Sequence, residues 1–221
     1  MLPMKVATTD RKAALTARGA RTRQRIVETT AKLIYEGGVE ATSLDEVCEA
    51  GRLSKSQLYH YFKDKDALVR EVIALQADRV LAAQSPPIDE IDSIDALRRW
   101  AMTVEALYRA TGGGGCPLGS LASELASRSN SARTLLQEGF IAWTDRLARG
   151  FERMKSRGDL AANASPHELA VAVVAAVQGG LLLAKTARSP APLRRALDMA
   201  VRYVGLHCRD RHVKDHDRRH R

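Results

Sequence analysis

Cysteine, proline, aromatic residues and long apolar runs are all scarce in this chain. Three cysteines among 221 residues, odd in number and widely spaced, argue against a disulfide framework and for a reducing cytoplasm. The N-terminus lacks an apolar h-region, so no signal peptide is expected. The longest uncharged stretch, Leu169 to Ala184, contains Gln178-Gly179-Gly180 and is short for a membrane span, so no membrane partner is expected. Strand-type alternation is hard to find, which leaves an all-α chain. No nucleophile elbow, no cofactor fingerprint and no metal-ligand spacing outside the C-terminal tail appears, so neither an enzyme nor a bound cofactor is expected. The four glycines at 112–115 are not a phosphate loop, because no Gly-Lys-Ser/Thr follows. Arg157-Gly158-Asp159 reads as a helix stop.

What is present is ordinary globular material with an uneven charge. The chain is 45% hydrophobic and 28% charged, enough for a sizeable core in one or two domains. The formal net charge is +9, and residues 26–208 are neutral as a whole. The surplus lies in two tails: residues 1–25 hold 7 Lys/Arg against one acid, and residues 209–221 hold 6 against 3. A short basic arm of this kind suits contact with nucleic-acid phosphates or a minor groove; the alternative is a solubilising disordered tail. His212, His216 and His220 recur every four residues, as a helical metal site would need, but the charge run around them favours a disordered tail.

The informative stretch is Thr42 to Lys65, T-S-L-D-E-V-C-E-A-G-R-L-S-K-S-Q-L-Y-H-Y-F-K-D-K. Ser43 is an N-cap, Asp45 and Glu46 fill a first helical turn, and Leu44, Val47 and Cys48 share one face. Gly51 breaks the pattern. Ser54 caps a second short helix over Lys55 to Tyr61, with Leu58 and Phe62 four residues apart. Two short helices across a tight turn make a helix-turn-helix. Such a motif sets the N-terminal residues of its second helix near base edges, so Lys55, Ser56 and Gln57 are the candidates for base contact. Gln57 can pair with adenine and Lys55 with guanine. Lys65 sits at the start of the next helix, where free N–H groups favour an anion.

T-S-L-D-E-V, S-K-S-Q-L-Y-H-Y-F and K-D-K-D-A-L together resemble the DNA-binding region of the TetR family of transcriptional regulators. The resemblance implies phosphate contacts from Tyr59, Tyr61 and Lys65, and extends them to Ser43, Ser54 and His60. Tyr59 or Tyr61 as a core aromatic is the alternative. The family's usual glycine two residues before the capping Ser is Arg52 here, and the glycine is Gly51. Either the turn shifts by one residue, or Arg52 takes a costly positive φ.

The rest of the chain reads as capped helices. A basic arm over residues 1–20 precedes a DNA-binding domain over 21–66, whose first helix runs from about Thr22 to Glu36 and ends at Gly37-Gly38. A helical ligand-binding and dimerisation domain covers 67–208, and a basic, His-rich tail covers 209–221. Its first helix, capped by Asp64, carries Leu68, Val72, Leu75 and Arg79 in register and stops at Ser85-Pro86-Pro87. Helices opened by Ser93, Pro117 and Ser131 follow. Ser165-Pro166-His167-Glu168 is a capping box ahead of a helix apolar nearly all round. The last helix starts at Ser189-Pro190.

The last two helices suit a subunit interface, and the resemblance implies a homodimer through about residues 166–207; a monomer core is the alternative. A symmetric dimer doubles the DNA site into a palindromic, double-stranded operator. G-C-P-L-G-S-L-A at 115–122 and the later Q-G-G-L-L-L-A-K-T look like a TetR subgroup that includes drug- and flavonoid-responsive repressors. That resemblance implies release by a small hydrophobic or aromatic effector. Trp100, Met102, Tyr108, Trp143 and Gln178 are candidate pocket residues, since such a site needs aromatic walls and a few polar groups; plain core is the alternative for each. Cys116, near a helix start that lowers thiol pKa, is a redox-sensor candidate or a packed thiol. An architectural DNA-binding protein without an effector is the rival reading of the whole chain.

Overall fold

A computed structural model describes residues 17–209; the arm ahead of them and the tail with His212, His216 and His220 lie outside the described residues. The described part is all-α: α1 Ala17–Gly37, α2 Leu44–Gly51, α3 Lys55–Tyr61, α4 Lys65–Ala83, α5 Ile94–Ala110, α6 Pro117–Leu125, α7 Asn130–Ser156, α8 Pro166–Ala187 and α9 Ala191–Leu206. The first helix begins five residues before Thr22, so residues 17–20 of the expected arm are helical. Side-chain caps set most of the other starts. Ser43, Ser54, Asp64, Ser93 and Ser165 each accept a backbone N–H from three residues on. The long helix α7 is capped by Ser129 rather than Ser131, because the Ser129 hydroxyl accepts the Ala132 N–H at 3.3 Å.

Two packed units emerge. Ile26, Val27 and Ile34 of α1 share a core with Val47, Leu58, Phe62 and Leu68, which gathers α1, α2, α3 and the front of α4 into one unit. Behind it, α4 to α9 enclose a second part of the same core around Trp100, Leu147, Phe151 and Val177. The helix α4 belongs to both. Arg23–Glu71 at 2.7 Å and Arg79–Glu28 at 3.1 Å tie it to α1. A further tie runs from α6: the Glu124 carboxylate accepts the Val39 N–H at 2.7 Å, just past the end of α1.

The apolar helix α8 is less enclosed than its composition suggests. Among the described helices it is the one long and apolar enough to cross a bilayer, yet it is packed into the domain between α7 and α9. Leu169, Val173, Val177 and Ala184 are buried, whereas Val171, Leu182 and Leu183 face outward. Gly180 allows the close approach of α9, since a Cβ there would lie 2.8 Å from that of Ala196. Leu193, Leu197, Val201 and Val204 form the buried stripe of α9, and Met199, Tyr203 and Leu206 its exposed one.

Candidate nucleic-acid interface and ligand cavity

The helix-turn-helix closes on a left-handed residue. Arg52 has φ 50° and ψ 54°, so the turn does not shift by one residue; the arginine takes the conformation usually given to glycine. Its N–H bonds to the Glu49 carbonyl at 3.1 Å, and the Leu53 N–H to the Cys48 carbonyl at 2.9 Å. This pair of bonds is the Schellman arrangement that satisfies the last carbonyls of α2. Gly51 serves close packing instead, because a Cβ there would lie 2.9 Å from Leu53 Cδ1.

The exposed side of α3 carries Lys55, Ser56, Gln57, Tyr59 and His60, while Leu58 faces the core. Tyr59 is 53% exposed and free for contact. Tyr61 is half-buried against the core and meets the His60 ring edge-on at 4.8 Å, so the two tyrosines have different surroundings. Phe62 is buried under the Arg23 guanidinium, 5.2 Å from its ring centre.

Several of the expected contacts already have protein partners. Lys55 Nζ lies 2.8 Å from the Asp45 carboxylate, which holds its pKa above the ordinary lysine value. Gln57 is the N3 residue of a capping box: its Oε1 accepts the Ser54 N–H at 3.0 Å and its own N–H donates to Ser54 Oγ at 3.1 Å. A bidentate Gln57–adenine pair must therefore share that oxygen or open the box. At the start of α4 the Asp64 carboxylate accepts the Ala67 N–H at 2.7 Å, and this bond holds its pKa below the usual carboxylate range. The anion site expected beside Lys65 is thus partly filled by the chain itself. Ser43 makes the matching box with Glu46, whose carboxylate accepts the Ser43 N–H at 2.7 Å.

Behind the motif, α4, α5, α7 and α8 and the start of α6 line a cavity of about 220 Å³ that opens to the surface. Tyr108, Cys116 and Trp143 line it. Trp100 does not. It lies behind the wall, where its Nε1 donates to Gln84 Oε1 at 3.0 Å, because helical spacing turns it toward the α4 end. Met102 is a second correction: two residues past Trp100 it comes out on the opposite face of α5 and is 70% exposed. Gln178 lines a separate groove between α6 and α8, where its Nε2 has no partner and its Oε1 crowds Gly119. Cys116 caps α6 with its sulfur, 3.4 Å from the Gly119 N–H. Burial pushes its thiol above the ordinary value, outweighing the neighbouring polar groups, the helix-start N–H groups among them, that pull it down. That contradicts a lowered pKa and favours the packed-thiol reading.

Gln76, Arg79, Val80 and Gln84 on or just after α4 also line the cavity and were missed. The buried stripe of α4 runs Leu68, Val69, Val72, Ile73, Gln76, one position away from the Leu75–Arg79 line. A glutamine in that stripe was the available signal.

A three-helix unit whose second short helix stands exposed at one end of α4 defines a helix-turn-helix DNA-binding regulator. The family model described as bacterial regulatory proteins, tetR family, matches residues 26–72, and that described as transcriptional regulator LmrA/YxaF-like, C-terminal domain, matches residues 93–199. The chain belongs to the TetR family of transcriptional regulators, which are not enzymes. It is 26% identical over 175 residues to the HTH-type transcriptional repressor DhaR of Mycobacterium sp. (strain GP1), covering 79% of this chain and 88% of that one. It is 27% identical to the HTH-type transcriptional regulator YxaF of Bacillus subtilis, covering 81% and 92%. Its fold matches a regulatory protein TetR from Rhodobacter sphaeroides with a TM-score of 0.73 at 24% identity, over 85% of this chain and 99% of that one. A TetR-family regulator from Cytophaga hutchinsonii matches with a TM-score of 0.79 at 19% identity, over 89% and 99%.

Proposed function

We propose that the chain is a homodimeric repressor that grips a palindromic DNA operator and lets go when a small hydrophobic or aromatic effector enters the cavity. The observation that carries this reading is the path of α4. It starts at Lys65, directly behind the recognition helix, and its later turns line the cavity. A ligand that prefers one tilt of α4 then shifts the spacing of two reading heads, by no more than its difference in affinity for the two states. Work on an operator belongs in the cytoplasm.

The exposed apolar side of α8 and α9, with Leu182, Leu183, Met199, Tyr203 and Leu206, supports the dimer. In the dimer Lys55, Ser56 and Gln57 read bases. Tyr59, Tyr61 and Lys65 hold phosphates, joined by Ser43, Ser54 and His60.

The test pairs assembly with binding. Leu182→Glu is expected to yield a monomer in sedimentation and to lower operator affinity by about 100-fold or more; an intact dimer overturns the proposed interface. Lys55→Ala is expected to relax sequence preference at a cost of about 1–3 kcal/mol on the best site. Lys65→Ala is expected to weaken all duplexes alike and to reduce the salt slope by about one. Equal losses on every sequence for both variants would refute the division between base and phosphate contacts. Uniform, sequence-independent coating of DNA by the native chain would favour an architectural role instead.

A further inference from the structure

We infer that the cavity selects a neutral molecule the size of one substituted aromatic ring, and that the Gln76 amide reads its hydrogen-bond acceptor. This rests on the effector reading above and adds the ligand's class and the residue that recognises it.

Size sets the first limit. An apolar cavity of about 150 Å³ holds one benzene. The cavity here, about 220 Å³, is roughly half again as large, which a single ring with a short substituent fills to a similar degree.

Charge sets the second. Arg79 is the charged residue of the lining, and its guanidinium already lies 3.1 Å from Glu28 on α1. A carboxylate or ammonium ligand would lose its water without gaining a free counter-charge, which is costly.

Hydrogen bonding sets the third. The Gln84 amide is used on both sides: Nε2 donates to the Val80 carbonyl at 2.8 Å and Oε1 accepts from Trp100. The Thr111 hydroxyl is held by the Leu107 and Tyr108 carbonyls. Gln76 is different. It is 8% exposed, it lines the cavity, and its amide makes no hydrogen bond to any described residue. Trp143 Nε1 in the same wall is buried without a partner as well. The buried Trp143 N–H is a donor only and the Gln76 amide brings donors as well as an acceptor, so an acceptor on a ligand is the group that both residues can meet. A ligand carbonyl supplies one. Gln76 also stands eleven residues after Lys65 on the same helix, about 16 Å along its axis. A bond made there acts on the element that carries the reading head.

The experiment uses the full-length chain and four probes: acetophenone, ethylbenzene, benzoate and 2-acetylnaphthalene. Binding is read by titration calorimetry. Release is read by anisotropy on an operator recovered by selection from random duplexes. Acetophenone is expected to bind roughly tenfold more tightly than ethylbenzene, and more tightly than the other two. Gln76→Leu and Gln76→Met are each expected to bring the acetophenone-to-ethylbenzene ratio near one while leaving ethylbenzene affinity within about twofold. A ratio that survives both substitutions, tighter binding of benzoate or the naphthalene, or no binding by any probe would overturn the inference. Release of the operator by a larger or charged probe would do so while sustaining the effector reading. Selective acetophenone binding with no change in operator affinity would sustain the ligand class and overturn the effector reading.

Discussion

In the reading head, Ser43, Ser54 and Asp64 each accept a backbone N–H three residues ahead. Around the cavity, Trp100 and Gln84 meet across 16 residues of chain, and Trp143 joins the wall from α7. The first region is therefore shaped by bonds that each helix start makes with itself. The second depends on five helices arriving together. Damage to the reading head should be local and modest, whereas damage to the cavity walls should spread through a shared core. The helix α4 ends one region and begins the other, which is how an event at the wall can be felt at the DNA.

This contrast can be broken most forcefully at Trp100, which is 1% exposed. Trp100→Ala removes a large buried ring and leaves the Gln84 oxygen unpaired, and is expected to cost about 3–5 kcal/mol by urea denaturation. A cost near that of a single cap would show that the cavity walls are not cooperative. A smaller effect is expected at the front. Ser54→Ala removes the acceptor of the Gln57 N–H and is expected to cost about 1 kcal/mol, without changing the unfolding of the rear domain. An equal loss of stability in both regions would mean that the reading head is not separately shaped. The smallest effect carries the opposite sign. Arg52→Gly relieves a left-handed arginine and is expected to raise the melting temperature slightly, worth about 0.5 kcal/mol once the extra backbone entropy of glycine is subtracted. A drop in stability would show that the arginine side chain holds the turn.

The same contrast explains what was legible beforehand. Caps are written in adjacent letters, so the starts of α2, α3, α4, α5 and α8 could be read from Ser43, Ser54, Asp64, Ser93 and Ser165. The exposed face of α3 followed from Leu58 and Phe62 at helical spacing. The cavity was only partly readable. Tyr108, Cys116 and Trp143 do line it, but aromatic character does not reveal which wall a ring belongs to. Trp100 turned to Gln84 and Met102 turned to solvent. Gln76 falls outside the Leu68–Val72–Leu75–Arg79 register, because the buried stripe of α4 runs one residue to its side. The near-continuous apolarity of α8 suggested burial on most faces, yet Leu182 and Leu183 lie outside the single-chain core.

The amino-acid order by itself determined the helical character, the positions of the caps, and which side of the recognition helix meets solvent. Each of these depends on neighbours within about one turn, where spacing translates directly into geometry. Tertiary structure alone decided that Arg52 rather than Gly51 takes the left-handed slot, that burial outweighs the helix start at Cys116, and that a glutamine of α4 lines the cavity. Those outcomes turn on distances between helices far apart in the chain, and no local pattern encodes them.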